Sequence, residues 1–357
     1  MKVFDLPTPA LIADATLVAN NMRLMNETLE GKSVHLRPHY KSHKCAALAH
    51  KQIAAGAIGM TCAKLSEAED LVFSGVNDVL IANQVVEPAK IIRLASLAGM
   101  CRLTVCVDDT DNARTLSRAA INAGTTIHCL VEYDIGMNRC GVRTKEDYLE
   151  LARLITELPS LQYDGIQAYA GYASHMVSTE ERIETTRANI QKVAGLKEYL
   201  QQNGIEVTTV SGGSTGTSAI KAENTVYTEL QAGSYLFMDS TYSQLDVPFH
   251  NSLFVLSTVV SKSNGAIILD VGVKGLGVDQ NVPIILGRDG REIIGRIVLN
   301  EEHLKLYDSD WTPSIGEKVF VIPGHCCSTI NLYDNLYLYS GDSVTDRIAV
   351  TARGKSQ

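Results

Sequence analysis

Short apolar runs alternate with amphipathic stretches between residues 8 and 240, at a spacing of roughly 25 to 30 residues. Eight of these runs have the length and composition of buried strands: PALIAD, SVHLRP, IGMTCA, DVLIAN, LTVCVD, HCLVEYD, GIQAYA and VTTVSG. The pattern is typical of βα units around a parallel sheet, and eight units are enough to close that sheet. The sequence therefore predicts an α/β chain with a closed (β/α)8 TIM barrel.

The pattern changes after about residue 250 to short β-rich runs separated by turn residues, which indicates a separate antiparallel β domain. Its candidate strands are SLFVLSTVVS, AIILDVGV, REIIGRIVLN, EKVFVIP and NLYLYS. A chain of 357 residues also exceeds the size at which one hydrophobic core usually stops growing. We therefore predict a barrel over residues 8–245 and a β domain over 246–357, completed by residues 1–7.

Composition narrows the classes of partner. The net charge of −8 is spread without basic blocks, which argues against nucleic acid, and no apolar run is long enough to span a membrane. A small molecule is the expected partner. The first residues lack the pattern of a secretory signal, and the eight cysteines include no C-x-x-C pair, so a cytoplasmic protein with reduced thiols is expected.

The densest charged cluster is Arg37–Lys44, which directly follows a predicted strand. Active sites of barrels lie at the carboxyl ends of the strands. A lysine there, such as Lys41, can become a nucleophile toward carbonyl groups when other cations surround it, and Arg37, His39, His43 and Lys44 are candidates for that role. A solvated basic loop explains the same residues.

Two glycine turns follow the last predicted strands. The segment Ser211–Thr217 is rich in glycine and hydroxyl groups, and Gly233-Ser234-Tyr235 follows it. Such turns can present backbone N–H groups to a phosphate, and consecutive βα loops often form the phosphate site of a barrel. Each turn taken alone also fits a purely structural role.

A third segment, Glu132–Gly141, contains Arg139 between glycines at another strand end. An arginine in this position can hydrogen-bond a cofactor and tune its electronic properties. The alternative is a salt bridge from Arg139 to Glu132 or Asp134.

The β domain contains the segment Pro323–Thr329, with His325 and Cys327 two residues apart. On an extended segment these side chains point to the same side, so one metal ion can bind both. Imidazole with thiolate favours Zn²⁺. A buried histidine beside packed cysteines is the alternative.

Taken together and in this order, the motifs resemble the pyridoxal-phosphate (PLP) fold-type III family that includes D-serine dehydratase, D-threo-3-hydroxyaspartate dehydratase and D-threonine aldolase. The resemblance extends from TPALI near residue 8 to Ala352-Arg353-Gly354. Its most specific element is R-P-H-x-K-[ST]-H-K at residues 37–44. It is supported by TCAKLSEAE from Thr61, GMNRCG ending at Gly141, AYAGY from Ala168 and ELQAGSY from Glu229.

The resemblance implies a role for each candidate residue. It makes Lys41 the catalytic lysine that forms the Schiff base with PLP, places Arg139 and Tyr169 at the cofactor ring, and makes His325 and Cys327 the divalent-metal pair. The implied phosphate ligands are Gly213, Ser214, Thr215, Gly233, Ser234 and Tyr235. It also implies an alanine-racemase-like barrel followed by a β domain, and a homodimer whose sites lie between the barrel of one subunit and the β domain of the other.

The resemblance leaves two reactions open for a lyase that acts on β-hydroxy-D-amino acids. A dehydratase would convert D-serine or D-threo-3-hydroxyaspartate to a 2-oxo acid and ammonia. A D-threonine aldolase or 3-hydroxy-D-aspartate aldolase would release glycine and an aldehyde. In this family His-x-Cys is associated with dehydratases and His-x-Asp with aldolases, so Cys327 favours a dehydratase, with Zn²⁺ as the expected metal and Mn²⁺ or Mg²⁺ as alternatives. A non-catalytic PLP-binding protein is a third alternative.

Overall fold

The computed structural model describes all 357 residues, which form two compact units. The barrel unit comprises Asn26–Lys41, Leu48–Gly233 and Lys355–Gln357, and the β unit comprises Met1–Met25, Ser42–Ala47 and Ser234–Gly354. This division differs from the boundary expected from the sequence, because residues 8–25, 42–47 and 234–245 belong to the β unit and residues 355–357 to the barrel unit.

The strands are numbered in chain order. They are β1 (Ala10–Asp14), β2 (His35–Leu36), β3 (Met60–Cys62), β4 (Asp78–Gln84), β5 (Arg102–Val107), β6 (Ile127–Glu132), β7 (Leu161–Ala168), β8 (Thr209–Gly212), β9 (Glu229–Leu230), β10 (Leu253–Ser263), β11 (Ala266–Leu269), β12 (Ile284–Leu286), β13 (Arg296–Leu299), β14 (Leu304–Tyr307), β15 (Lys318–Ile322), β16 (Asn335–Ser340) and β17 (Ser343–Ala349).

The α-helices are numbered in the same way. They are α1 (Ala15–Leu29), α2 (Ala46–Ala54), α3 (Leu65–Phe73), α4 (Pro88–Leu97), α5 (Thr110–Ala123), α6 (Lys145–Glu157), α7 (Gly171–Ser174), α8 (Thr179–Gln202), α9 (Ser218–Ala222) and α10 (Cys326–Ile330). None of them combines the length and the apolar character that crossing a membrane requires.

Eight parallel strands form the sheet of the barrel unit, in the order β2-β9-β8-β7-β6-β5-β4-β3. A parallel bridge between His39 and Thr61 links the chain after β2 to β3, at the opposite edge of this order. The predicted barrel is therefore confirmed. Five of the six residues of β5 and of β6 are buried, and in β4 the run Val79–Ile81 is buried, as expected for a parallel sheet covered by helices on its outer face.

Helix α4 shows how the local sequence sets the connections between strands. Pro88 occupies the first turn, where its missing N–H is not needed, and Glu87 is the N-cap. The helix ends at Leu97, two residues before Gly99. Proline in the first turn and glycine just after the last turn are the residues typical of helix ends.

One barrel strand was assigned wrongly from the sequence. The run PALIAD forms β1, which pairs with β10 and β16 in the β unit and not with the barrel sheet. The eighth barrel strand is β9, which pairs with β2 and β8. With only two residues, β9 is too short for an apolar pattern to reveal it.

The β unit contains a nine-stranded sheet with the order β13-β14-β11-β10-β1-β16-β17, to which β15 and β12 are added beside β10. Its pairs are antiparallel, as predicted, except for the parallel pair β1 and β16. The five predicted strands correspond to β10, β11, β13, β15 and β16, and the structure adds four others to the sheet. The buried core around β1 includes Ile12, Phe254, Leu256, Ile322 and Tyr339.

A buried ion pair fixes the start of the barrel sheet. The Arg37 guanidinium lies 3.0 Å from Glu229 and 2.7 Å from Asp78, which are the first residues of β9 and β4. Replacing Arg37 with methionine leaves the buried Glu229 carboxylate without its cation, while Asp78 keeps only a contact of 3.9 Å with Arg102. We therefore expect the free energy of unfolding to fall by about 3 kcal/mol. Urea unfolding followed by circular dichroism measures this change.

Arg93→Met is the matched control, because Arg93 forms an ion pair with Glu69 while 43% exposed. Exposed pairs contribute at most about 1 kcal/mol. Equal, small losses in both variants would contradict the structural role given to Arg37.

Candidate functional site

The predicted cofactor residues of the barrel unit all follow the carboxyl ends of strands. Strand β2 is followed by Lys41, β6 by Arg139 and β7 directly by Tyr169. Strand β8 is followed by Gly213, Ser214 and Thr215, and β9 by Gly233. Since the eight strands are parallel, these segments meet at one end of the barrel, where barrel enzymes carry their active sites.

Lys41 lies in a single 3-10 turn, Tyr40–Ser42. Tyr40 is fully buried and donates a hydrogen bond from its hydroxyl to Asp70 over 2.5 Å, and the Lys41 backbone N–H donates to Nδ1 of His39 over 3.3 Å. These contacts hold the backbone of the turn, while the side chain of Lys41 is exposed. The amine is thus presented from a fixed segment.

The charged cluster around Lys41 differs from the sequence-based expectation. Arg37 was predicted to activate Lys41, but its charge is balanced by Glu229 and Asp78. The cluster is also divided, because the residues up to Lys41 belong to the barrel unit and Ser42–Ala47 to the β unit. Arg37 is close to Lys41 in the sequence, and this proximity suggested a role in activating the lysine. The Arg37 side chain instead pairs with carboxylates at the starts of β4 and β9.

Asp134 organises the loop that carries Arg139. Its Oδ1 accepts hydrogen bonds from the backbone N–H groups of Gly136, Met137 and Asn138 at 3.0, 2.8 and 3.1 Å. Burial raises the pKa of the Asp134 carboxyl, but these three donors and Arg143 outweigh it, so that the pKa lies below its usual value. Asp134 was one of two acids considered as a salt-bridge partner of Arg139. Its carboxylate instead binds the backbone of the loop that carries Arg139.

Arg139 contacts both an acid and an aromatic ring. Its guanidinium lies 4.0 Å from the buried carboxylate of Glu132 and 5.7 Å from the centroid of the Tyr169 ring. Gln84 donates to the other oxygen of Glu132 over 2.5 Å. Burial raises the pKa of Glu132, although Gln84 and Arg139 act in the opposite direction. The salt bridge to Glu132 is present, and the two predicted ring contacts, Arg139 and Tyr169, lie together.

The turn after β8 requires its glycines. A Cβ atom on Gly212 would collide with the carbonyl oxygen of Ala168, and Gly213 has a φ of +83° with the Leu230 side chain 3.0 Å from the position of a Cβ. Ser214 hydrogen-bonds the hydroxyls of Ser174 at 2.7 Å and Thr217 at 3.0 Å. The turn is thus a buried, hydroxyl-rich cradle of closely packed backbone.

The second glycine turn ends the barrel unit at Gly233, and Ser234 and Tyr235 belong to the β unit. Both lie in the 3-10 turn Ser234–Leu236 and are buried. The Tyr235 ring packs against Phe249, with 5.6 Å between ring centroids. The hydroxyl of Ser234 lies 3.8 Å from the sulfur of Cys327. Within the β unit, a predicted phosphate ligand is therefore next to a predicted metal ligand.

His325 and Cys327 lie at the start of helix α10 and not on an extended segment, so the period-two argument from the sequence was wrong. His325 is the N-cap and Cys327 lies in the first turn, and the Cys327 side chain is a hydrogen-bond partner of the His325 imidazole. Burial lowers the pKa of His325, but Cys327 and Asp279 outweigh it and raise the pKa to about 9. A metal ion therefore competes with a proton for this imidazole.

Two acids of the β unit support this pair. Asp279 contacts Nδ1 of His325 at 2.6 Å and accepts a hydrogen bond from Ser328 over 2.5 Å. Asp239 accepts a hydrogen bond from the backbone N–H of Cys326 over 2.9 Å. Cys326 is itself fully buried, whereas Cys327 is partly exposed, so Cys327 is the more accessible thiol.

Family models match both parts of the chain. Residues 14–241 match the alanine racemase N-terminal domain, and residues 252–339 match a putative serine dehydratase domain. The chain is 39% identical to the D-threonine aldolase of an Arthrobacter species over 98% of this chain and 93% of that one. The chain belongs to the D-threonine aldolase and D-serine dehydratase family. This protein is accordingly a PLP-dependent lyase, as the motifs in its sequence predicted.

Further relatives of this lyase include both kinds of enzyme. The 3-hydroxy-D-aspartate aldolase of Paracoccus denitrificans (strain Pd 1222) is 36% identical over 99% of this chain and 94% of that one. The D-threo-3-hydroxyaspartate dehydratase of Delftia sp. (strain HT23) is 27% identical over 92% of each. The crystal structure of D-threonine aldolase from Filomicrobium marinum has a TM-score of 0.95 and 37% identity, covering 100% of this chain and 98% of that one.

The barrel end of the lyase fits PLP. The turn at Gly212 and Gly213 has no room for side chains, and buried hydroxyls follow it, which is the chemistry that a phosphate group requires. Arg139 and Tyr169 offer a cation and an aromatic ring side by side. Lys41 supplies the amine.

The residues of the β unit fit a divalent metal ion with open positions. Imidazole and thiolate are ligands that Zn²⁺ prefers, and two protein ligands leave sites for substrate and water. No group of three or more His, Cys, Asp and Glu residues in the chain is arranged to enclose an ion.

Asp279 was missed by the sequence analysis. It lies 46 residues before His325, and no local motif connects the two. A histidine that binds a metal commonly donates its other ring N–H to a carboxylate, which fixes the orientation of the ring. The contact between Asp279 and Nδ1 has this arrangement.

We expect Asp279→Asn to weaken metal affinity by about 10- to 100-fold, because the His325 ring loses its orienting carboxylate. Competition with a chromophoric chelator measures Zn²⁺ affinity without any assay of turnover. Asp289→Asn is the control, since Asp289 belongs to the same unit and pairs with Arg291 at an exposed site. Unchanged affinity in Asp279→Asn would show that Asp279 does not support a metal ligand.

Proposed function

We propose that this lyase is a PLP- and divalent-metal-dependent aldolase. It cleaves the Cα–Cβ bond of β-hydroxy-D-amino acids of the D-threonine and 3-hydroxy-D-aspartate type, giving glycine and an aldehyde. The observation that carries the proposal is identity of 39% and 36% to two aldolases over nearly the whole chain, against 27% to a dehydratase.

A dehydratase is the second candidate, and the observation that favours it is Cys327. Cys327 favoured this reaction at the level of sequence, because His-x-Cys is associated with dehydratases in the family that the motifs resemble. One ligand position is a narrower criterion than similarity along the whole chain. That similarity favours the aldolase reaction. The same residues serve both reactions, so the choice concerns which bond at the substrate is broken.

The cofactor ligands remain as predicted from the sequence. Lys41 is the covalent anchor, Arg139 and Tyr169 orient the ring, and the phosphate ligands are Gly213, Ser214, Thr215, Gly233, Ser234 and Tyr235. When bound, PLP supplies an electron sink for the charge that develops at Cα. Asp134 and Glu132 position Arg139, the first through the loop backbone and the second through the guanidinium.

His325 and Cys327 are the proposed metal ligands, with Asp279 holding the imidazole. A divalent ion there supplies a Lewis acid for the β-hydroxyl group of the substrate. The donor set favours Zn²⁺, and Mn²⁺ and Mg²⁺ stay alternatives. The β-hydroxyl group loses its proton as the aldehyde forms, and Cα gains one in its place. Lys41 Nζ, once free of the cofactor, is the group that delivers this proton to Cα. A homodimer stays a prediction.

The reverse reaction tests the proposal. An aldolase also condenses its products, so the enzyme supplied with PLP and Zn²⁺ should form β-hydroxy-D-amino acid from glycine and acetaldehyde. A dehydratase has no route to this product. Chiral chromatography of the reaction mixture detects it, and a sample treated with a chelator is the control. Failure to form any product, with ammonia released from D-threonine instead, would establish the second candidate.

A further inference from the structure

Lys221 is a buried cation to which none of the roles above assigns a function. It lies on the short helix α9, is 2% exposed, and its Nζ has no hydrogen-bond partner. The Tyr227 ring lies beside it, with 3.4 Å between the ring centroid and Nζ. An ammonium on the face of an aromatic ring is stabilised, but this contact replaces little of the hydration lost on burial.

The lysine and the tyrosine both pack against the glycine turn after β8. A Cβ on Gly213 would lie 3.1 Å from Cδ of Lys221, and a Cβ on Gly212 would lie 3.0 Å from Cε1 of Tyr227. Tyr227 is held in place by a hydrogen bond from its hydroxyl to the carbonyl oxygen of Ala168 over 3.1 Å. Lys221 is thus fixed beside the backbone of the proposed phosphate cradle.

The cradle has no other nearby cation along the chain. Between Ser211 and Tyr235, Lys221 is the only lysine or arginine, and the buried acid in this stretch, Glu229, is paired with Arg37. Burial lowers the pKa of Lys221 well below its usual value, as expected for an ammonium with no acidic partner. An anion bound at the cradle would supply that partner.

We propose that Lys221 is the countercharge for the phosphate group at the Gly212–Thr215 turn, and that it makes the protein prefer the phosphorylated form of its cofactor. The inference rests on the proposed cofactor site and does not depend on which substrate bond is cleaved. Lys221 is a binding residue in this account, since Lys41 carries the covalent chemistry.

The test compares two ligands that differ only in the phosphate group. Pyridoxine 5′-phosphate and pyridoxine both lack the aldehyde, so neither reacts with Lys41. Their affinities are measured by titration calorimetry on the full-length protein freed of cofactor. We expect Lys221→Met to weaken pyridoxine 5′-phosphate by about tenfold or more, because a charge-assisted contact is lost, and to leave pyridoxine unchanged.

Lys145→Met is the matched control. Lys145 belongs to the same unit, lies 5.9 Å from the Tyr199 ring centroid and donates to the carbonyl oxygen of Gly195, away from the cradle. Lys221→Gln, which is also neutral, provides a second variant if the methionine variant does not fold. Both neutral variants should lose the preference for phosphate, and Lys145→Met should keep it.

Equal losses for the two ligands, or no loss for either, would overturn the role of Lys221 while leaving the cofactor site in place. Equal affinity of the wild-type protein for the two ligands would overturn the phosphate cradle itself, and the role of Lys221 with it.

Discussion

Replacing Lys41 with alanine is expected to lower kcat by at least about 10³-fold, because in the proposed mechanism Lys41 provides both the covalent anchor and the proton that Cα gains. It should also remove covalent cofactor from the protein. Borohydride reduction of the wild type followed by peptide mass spectrometry should find the pyridoxyl label on Lys41. The variant should carry no label at any lysine.

Lys64→Ala is the control for this prediction. Lys64 is exposed and follows β3 at the same end of the barrel, but it belongs to no predicted site. Labelling and turnover should be unchanged in this variant. A label that persists in Lys41→Ala, or one that is lost in Lys64→Ala, would show that the anchor was assigned to the wrong lysine.

The second large effect is expected at the metal pair. His325→Ala should lower turnover by about 10³-fold, equivalent to about 4 kcal/mol of transition-state stabilisation, because the Lewis acid is no longer held. Treatment of the wild type with a chelator should produce a comparable loss, and added Zn²⁺ should restore the wild type alone. Bound metal is measured by mass spectrometry of the acid-digested protein.

Cys327→Ala tests whether the two residues act as one site. If they share an ion, the double variant should be no less active than either single variant, since the site is already lost. His250→Ala serves as the control, because His250 is an exposed histidine of the same unit. Its hydrogen bonds with Asn21 are made by its backbone groups, so replacing the side chain leaves them in place. Full retention of zinc in His325→Ala would contradict the assignment.

The barrel could be predicted because its strands are buried on both faces and so form continuous apolar runs. The same property explains the error at β1. Four of its five residues are buried, as in a barrel strand, because β10 and β16 flank it in the β unit. Burial determines where apolar residues occur along a strand. Because strands of either sheet can be equally buried, this apolar pattern does not identify the sheet to which a strand belongs.

The candidate cofactor motifs could be recognised in the sequence because each lies on one loop, so that its residue types and spacing are visible together. Asp279 and Lys221 could not be found in this way. Asp279 reaches His325 from a distant segment, and Lys221 has the sequence context of an ordinary helical lysine. Only the folded chain shows that one is paired with an imidazole and the other is buried beside a glycine turn.

The identity of the broken bond is tested most directly by the products formed from D-threonine. The enzyme supplied with PLP and Zn²⁺ is incubated with the substrate, and glycine, acetaldehyde, 2-oxobutanoate and ammonia are quantified together. An aldolase releases equal amounts of glycine and acetaldehyde, which is the result that we expect. Equal amounts of 2-oxobutanoate and ammonia, without glycine, would contradict it and show that Cys327 is the better guide to the reaction.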